Sequence, residues 1–200
     1  MEQLLVYVGT VTFAVTGALA AVRKRFDLVG VLILAAVTAV GGGSIRDVVA
    51  GIIPPASLLD ETLLWVVFSA GLAVFLLHRF VPTGRTLYAF DTISLGLFAA
   101  LGAQRGIEVG FGFWGTVFAG AISGVGGGVI RDVLSGEVPG VMYRSGDLYA
   151  SAAAIGAATL YLLHGIEPTV ALLTGAGLTI AIRIGSRLAG LRLPVPRTET

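Results

Sequence analysis

The sequence predicts an all-α membrane protein with seven transmembrane helices, built as two inverted three-helix repeats plus a seventh helix. Three observations lead there. Of the 200 residues, 56% are hydrophobic and 12% charged, with a mean hydropathy of +0.92, whereas a soluble domain is typically about one quarter charged. The apolar residues gather into seven long segments. A twelve-residue motif recurs 85 positions downstream of itself.

A helix needs about 20 predominantly apolar residues to cross a hydrocarbon core of roughly 30 Å. Segments 3–22, 28–52, 62–80, 86–104, 111–136, 147–164 and 168–188 meet that requirement. The first follows "MEQ" without a basic leader or a small-residue cleavage site, so it reads as a retained span. Short connections carrying Pro or Gly, such as "IIPPAS", "FVPTGR" and "GEVPG", mark turns between spans. They leave no space for a large extramembrane lobe, so residues 1–200 read as a single transmembrane domain.

Charge placement orients the spans. Arg23, Lys24, Arg25, Arg79, Arg85, Arg144, Arg183, Arg187, Arg192 and Arg197 fall on one side if the chain crosses seven times. Glu2, Asp60, Glu61, Glu108, Glu167 and the single base Arg105 fall on the other. Positive charge is retained in the cytoplasm, which puts the N-terminus outside and the C-terminus inside. Arg46 and Arg131 lie within the apolar segments and need a separate account.

The repeat supplies it. "VGGGSIRDVVAG" at 40–51 returns as "VGGGVIRDVLSG" at 125–136, with nine of twelve positions identical. Phe13-Ala14 and Phe98-Ala99, Gly17-Ala18 and Gly102-Ala103, and Pro54 and Pro139 keep the same offset. The repeats therefore run 3–80 and 86–164, with 168–188 as an additional helix. Each holds three spans, an odd number, so the second copy enters the membrane from the opposite side. Inverted repeats of this kind are common among transport proteins.

The motif sits where an ordinary membrane helix would not put it. Thirteen residues precede Gly41, Gly42 and Gly43 in the second span, about 20 Å of helix and too short to cross alone. The span must continue through the glycines, each costing about 1 kcal/mol against alanine. One reading is a kinked or broken helix whose freed carbonyls face protein or a water-filled path. The other is close helix packing, which Ala35 and Ala39, and Gly120 and Gly124, also suit. Both readings extend to Gly126, Gly127 and Gly128.

Arg46 and Asp47 are neighbours and project about 100° apart on a helix, so each is expected to pair elsewhere. An unpaired charge deep in a bilayer costs roughly 3 kcal/mol or more. The repeat offers Arg46 with Asp132 and Arg131 with Asp47, or carbonyls freed at the opposite glycines. These charges are either static clamps or groups that set the potential of a permeation path, and the two roles are compatible. Thr38, Ser44 and Ser123 are candidate ion-contacting hydroxyls, with bonding back to their own helices as the alternative. Asp91 and Asp147 read as interfacial helix-start residues. His78 and His164 end spans without metal-ligand spacing.

Other function classes find little support. A net charge of +1 gives no basic field for nucleic acid. With no cysteine, disulfides, thiol catalysis and Cys-ligated metals are excluded. "GVGGGV" lacks the third glycine of a dinucleotide fingerprint, and no Walker lysine follows either triple. The expectation is no enzyme, no cofactor and no resident metal.

Duplicated "GGGSIRD" and "GGGVIRD" in a seven-span chain of this length resemble a prokaryotic member of the trimeric intracellular cation channel family. Bacterial and archaeal members also carry a glycine transporter label, and the resemblance covers nearly the whole chain. It implies a homotrimer in the inner (plasma) membrane, each protomer holding its own pore for K⁺ and, less selectively, Na⁺. The second and fifth spans would form that pore, hinged at Gly41, Gly42, Gly43, Gly126, Gly127 and Gly128. Arg46, Asp47, Arg131 and Asp132 would be its polar residues or gating lock. The implied partners are further copies of the chain, membrane lipids and the permeant ions. The competing expectation is a secondary transporter of a small solute such as glycine, rocking one repeat against the other.

Overall fold

Each apolar segment becomes a helix, and the polar residues between segments start and stop it. A computed structural model describes residues 1–81, 83–142, 148–191 and 193–194. The helices are α1 (Glu2–Arg23), α2 (Leu28–Val49), α3 (Ala56–Leu59), α4 (Glu61–Leu77), α5 (Thr83–Glu108), α6 (Phe113–Leu134), α7 (Ala150–Leu163) and α8 (Pro168–Leu188). All but α3 fall within the expected segments to a few residues. Six are long and apolar enough to cross a membrane, α4 with the 3₁₀ turn that follows it. The exception is α7, with 14 residues, about 21 Å of helix. The start of its expected segment, Asp147, lies outside the described residues, as do Arg144, Arg192 and Arg197.

Three helix starts, those of α2, α4 and α8, are capped by carboxylates. Asp27 accepts from the Gly30 N–H at 2.8 Å, and Asp60 accepts from Leu63 N–H at 2.9 Å, satisfying donors that a first turn leaves unpaired. Glu167 caps α8 by accepting from the N–H groups of Val170 and Thr169, ahead of Pro168 at the first helical position. Those bonds, Val170 first, hold its carboxyl below the usual glutamate range. The cap's contribution is therefore present above that range, near about 4.3, and lost as pH falls through the lowered value. Protection factors at Thr169 and Val170, taken against the intrinsic exchange rate at each pH, are expected to fall on acidification while mid-helix α8 amides keep theirs.

The ends of α2 and α6 are built alike. Gly51 and Gly136 take left-handed φ values of 75° and 70°. Ile52 N–H then bonds the Asp47 carbonyl at 2.8 Å, and Glu137 N–H bonds the Asp132 carbonyl at 2.9 Å. This is the glycine-dependent helix stop, and it accounts for the last glycine of each motif copy.

Helices α1, α2 and α4 pack on one another, and α5, α6 and α7 do so in the same pairwise pattern. Contacts of α1 with α5 and of α2 with α6 join the two groups, while α8 lies against α5 and α7. The most buried of the spans is α5. Trp65, Leu72 and Leu76 of α4 and Trp114 and Phe118 of α6 point outward, a surface that suits hydrocarbon and not water. The chain is a multi-pass membrane protein. Polar contacts gather at its two ends. Gln104 bonds Glu2 at 3.0 Å and Tyr7 bonds Asp60 at 3.2 Å at one end, while Lys24 pairs with Glu137 at 2.8 Å at the other.

Candidate functional site

Both glycine triples lie within unbroken helices, so the expected break with freed carbonyls does not form. The glycine penalty of about 1 kcal/mol per residue is smaller than the cost of an unsatisfied carbonyl in an apolar interior. The glycines instead let two backbones touch. A Cβ on Gly126 would stand 2.9 Å from the Gly42 Cα, one on Gly42 would collide with the Ser123 carbonyl, and one on Gly127 with that of Thr38. Of the two readings of the glycines, close helix packing is the one present, as a close crossing of α2 and α6. Gly17 and Gly102 serve matching contacts, Gly17 against α2 at Ala35 and Thr38, Gly102 against α6 at Ala119 and Ser123.

Around this crossing the structure is dense. Phe13 and Phe98 stack with ring centroids 5.2 Å apart, and both are buried. Thr38 is fully buried and donates back to the Leu34 carbonyl at 2.6 Å. Ser123 accepts from Arg46 Nη1 at 3.2 Å, and Ser44 shares a hydrogen bond with Ser57 at 3.3 Å.

The pairs expected across the repeats, Arg46 with Asp132 and Arg131 with Asp47, are not formed. Each arginine turns to its own neighbour. Arg46 Nε and Nη2 donate to Asp47 Oδ1 at 3.0 and 2.7 Å. Arg131 Nε and Nη2 lie 2.9 Å from Asp132 Oδ1. The 100° argument holds for Cβ directions, but the long arginine side chain bends around the helix to reach the adjacent carboxylate. The second carboxylate oxygen is fixed by the following loop. Asp47 Oδ2 accepts from Ala56 N–H at 3.0 Å, and Asp132 Oδ2 accepts from Gly140 N–H at 3.0 Å.

The two arginines differ beyond that shared motif. Arg131 also donates from Nη1 to Asp91 Oδ1 at 2.7 Å, and Asp91 Oδ2 lies 2.8 Å from Arg183 Nη1. The Arg183 guanidinium lies 4.3 Å from the Tyr149 ring centroid and 5.0 Å from that of Tyr88, and Arg187 stacks on Tyr88 at 3.7 Å. Asp91 and Arg183 are 2% and 5% exposed. Asp91 is thus no interfacial helix-start residue, and Arg183 is no end-of-span surface charge.

Two cavities approach the crossing. One of about 280 Å³ is lined by Glu2, Thr10, Arg46, Asp60, Phe98 and Arg105 among others. The second, about 290 Å³, is lined by Tyr88, Asp91, Arg131, Asp132, Arg183 and Arg187 among others. They share no lining residue and lie toward opposite ends of α5. Between Asp91 and Phe98 the helix rises only about 10 Å, so a thin packed waist separates them.

Comparison with known proteins identifies the family. A family model described as glycine transporter matches residues 3–79 and again 88–165. The chain is 51% identical over 192 residues to a UPF0126 membrane protein of Deinococcus radiodurans, covering 95% of this chain and 89% of the relative. It is 36% identical over 193 residues to the UPF0126 inner membrane protein YadS of Escherichia coli, covering 94% and 92%. A structure solved to explain conductance through TRIC cation channels superposes with a TM-score of 0.90 at 38% identity, covering 99% of this chain and 98% of that one. The chain is a prokaryotic member of the TRIC family. A TRIC trimeric intracellular cation channel orthologue from Rhodobacter sphaeroides superposes with a TM-score of 0.88 at 34% identity, covering 95% and 98%. The two family-model matches in this TRIC-family chain begin 85 residues apart, the spacing of its motif. Asp91, Arg183, Tyr88 and Tyr149 are the site residues that the motif misses. The available signal was Asp91 itself, an ionisable residue inside an apolar segment, which calls for a buried partner.

Proposed function

We propose that this protein is a monovalent cation channel for K⁺, and also Na⁺, with a pore inside each protomer of a homotrimer. The observation that carries the reading is the pair of cavities on either side of the α2–α6 crossing, each lined by charged residues that include one arginine of the motif. The solved relatives named as TRIC cation channels support it. The route runs from one cavity to the other past Gly41, Gly42, Gly43, Gly126, Gly127 and Gly128, and opens when α2 and α6 separate at the waist. Arg46 and Arg131 do not repel a cation, because Asp47 and Asp132 cancel them locally; they act as electrostatic locks on the two helix ends. Ser44, Ser123 and Thr38 are the hydroxyls assigned to contact the ion once the crossing opens.

Seven crossings, two inverted repeats over 3–80 and 86–164, and the additional helix 168–188 complete the reading. The matching helix ends, loop bonds and pairwise packing of the two groups support the repeats. The inner-membrane name of the Escherichia coli relative supports that location, with the N-terminus outside and the basic end in the cytoplasm.

Purified protein in planar bilayers tests this. Unitary currents reversing near the K⁺ equilibrium potential are expected. Saturable glycine uptake with counterflow in proteoliposomes, and no unitary current, would overturn it in favour of a carrier of small solutes such as glycine.

A further inference from the structure

Phe13 and Phe98 occupy equivalent positions of the two repeats, 85 residues apart, and they stack on each other. Equivalent residues that touch mark the axis relating two halves. Gly42 and Gly127 are a second such pair, since a Cβ on Gly42 would stand 3.0 Å from the Gly127 nitrogen. The two pairs adjoin: a Cβ on Gly127 would stand 3.6 Å from Phe13 Cε2. The ring pair therefore sits beside the α2–α6 crossing, at the waist. Its two rings are not housed alike. Phe98 borders the Arg46 cavity and is 7% exposed, while Phe13 is 1% exposed. The edge of the Phe98 ring lies against the bare backbone of Gly9, where a Cβ would come within 3.0 Å of Cε2. The residue equivalent to Gly9 in the second repeat is Ser94, whose hydroxyl lies 2.8 Å from both Thr12 Oγ1 and the Phe90 carbonyl. The glycine is thus peculiar to the Phe98 side.

We infer that Phe98 is the leaf of a hydrophobic gate at the waist, closing the route by stacking on Phe13 and opening it by turning away along Gly9. In the closed arrangement the Arg46 cavity ends on two apolar rings, and an apolar constriction bars ions by expelling water. Stacked rings attract each other beyond the area they bury, so the closed arrangement has a preference of its own. Phe98 is the ring that moves, because one flank is open cavity and another is glycine. Phe13 is the post, enclosed and resting near Gly127. When α2 and α6 part at Gly42 and Gly127, Phe13 loses the backbone beside it, and the stack opens with the crossing.

This inference rests on the channel reading, and one set of recordings separates the two. Wild type, Phe98→Leu, Phe13→Leu, the double variant and Gly9→Ala are measured in planar bilayers in KCl. Phe98→Leu is expected to raise the ratio of open to closed time about five-fold, the scale of one aromatic pair, with unitary conductance unchanged. Phe13→Leu should do the same, and the double variant should gain no more than either, because all three lack the same contact. Gly9→Ala should lower the ratio, since its methyl group presses the Phe98 ring onto Phe13. If Phe98→Leu does not fold, Phe13→Leu and Gly9→Ala decide by their opposite signs. A purely structural stack would lower the unfolding temperature and leave the ratio where it was, which overturns the inference. A change of unitary conductance with an unchanged ratio overturns it too, making the ring a wall of the open pore. In both cases wild-type current persists and the channel reading stands. Wild type without current overturns the channel reading and this inference with it.

Discussion

Alanine at Gly42 is expected to destabilise the folded protein by about 3 kcal/mol, the upper range for overpacking a filled site. Alanine at the adjacent Gly43 is expected to be neutral or to stabilise by up to about 1 kcal/mol through helix propensity. The difference lies in what a new methyl group would meet. At Gly42 it meets the backbone carbonyl of Ser123, which no side-chain rotation can move aside. At Gly43 it meets only Arg46 Nη2, 3.7 Å away, an ordinary contact. Gly127 should behave as Gly42 does, because its methyl group would meet the Thr38 carbonyl. Gly41 should be mild, since the end of the Ile130 side chain can swing away. Thermal unfolding of the four variants in detergent measures this. Equal effects at Gly42 and Gly43 would mean that the close approach of the two backbones does not set the cost.

Arg46→Gln is expected to cost about 3 kcal/mol or more, because breaking one side of a buried ion pair strands the other charge. Asp47 is 1% exposed, and Arg46 is its only ion-pair partner among the described residues. The double variant Arg46→Gln/Asp47→Asn should regain most of the loss, since removing both partners leaves no uncompensated charge. Asparagine can still accept from Ala56 N–H. Arg131→Gln should cost less than Arg46→Gln, because Asp91 retains Arg183 and Asp132 is more exposed than Asp47. Denaturant or thermal unfolding of the three variants checks the order. A double variant as unstable as Arg46→Gln would show that the arginine acts through packing and not through its charge.

The parts legible in the sequence were those that depend on periodic or repeated pattern. Apolar segment length located the helices, and the 85-residue offset marked Gly42 and Gly127 as equivalent positions of the two motif copies. The glycine break failed because helix propensities are calibrated in water, where a backbone released from a helix finds new partners. Within this bundle α2 and α6 supply van der Waals contact instead, and the helices stay whole. The arginine pairing failed because an angular rule for short side chains was applied to a side chain long enough to fold back. Asp91 with Arg183 was out of reach for another reason. Their contact spans 92 positions and joins α5 to α8, and no spacing within one helix encodes it.

The crossing of α2 and α6 also bears on how the protein moves. Where side chains interlock, two helices shift only by knocks from one rotamer state to the next, and each knock has its own barrier. At Gly42, Gly126 and Gly127 the touching surfaces are main chain on main chain, with no knobs to lift over and no rotamers to reset. Such a contact is a smooth bearing: with nothing interlocked at the contact point, the two helices can slide, roll or part there without resetting a side chain. What ties the waist together is then the side chains around that point, with Phe13 stacked on Phe98 and Arg46 of α2 bonded to Ser123 of α6.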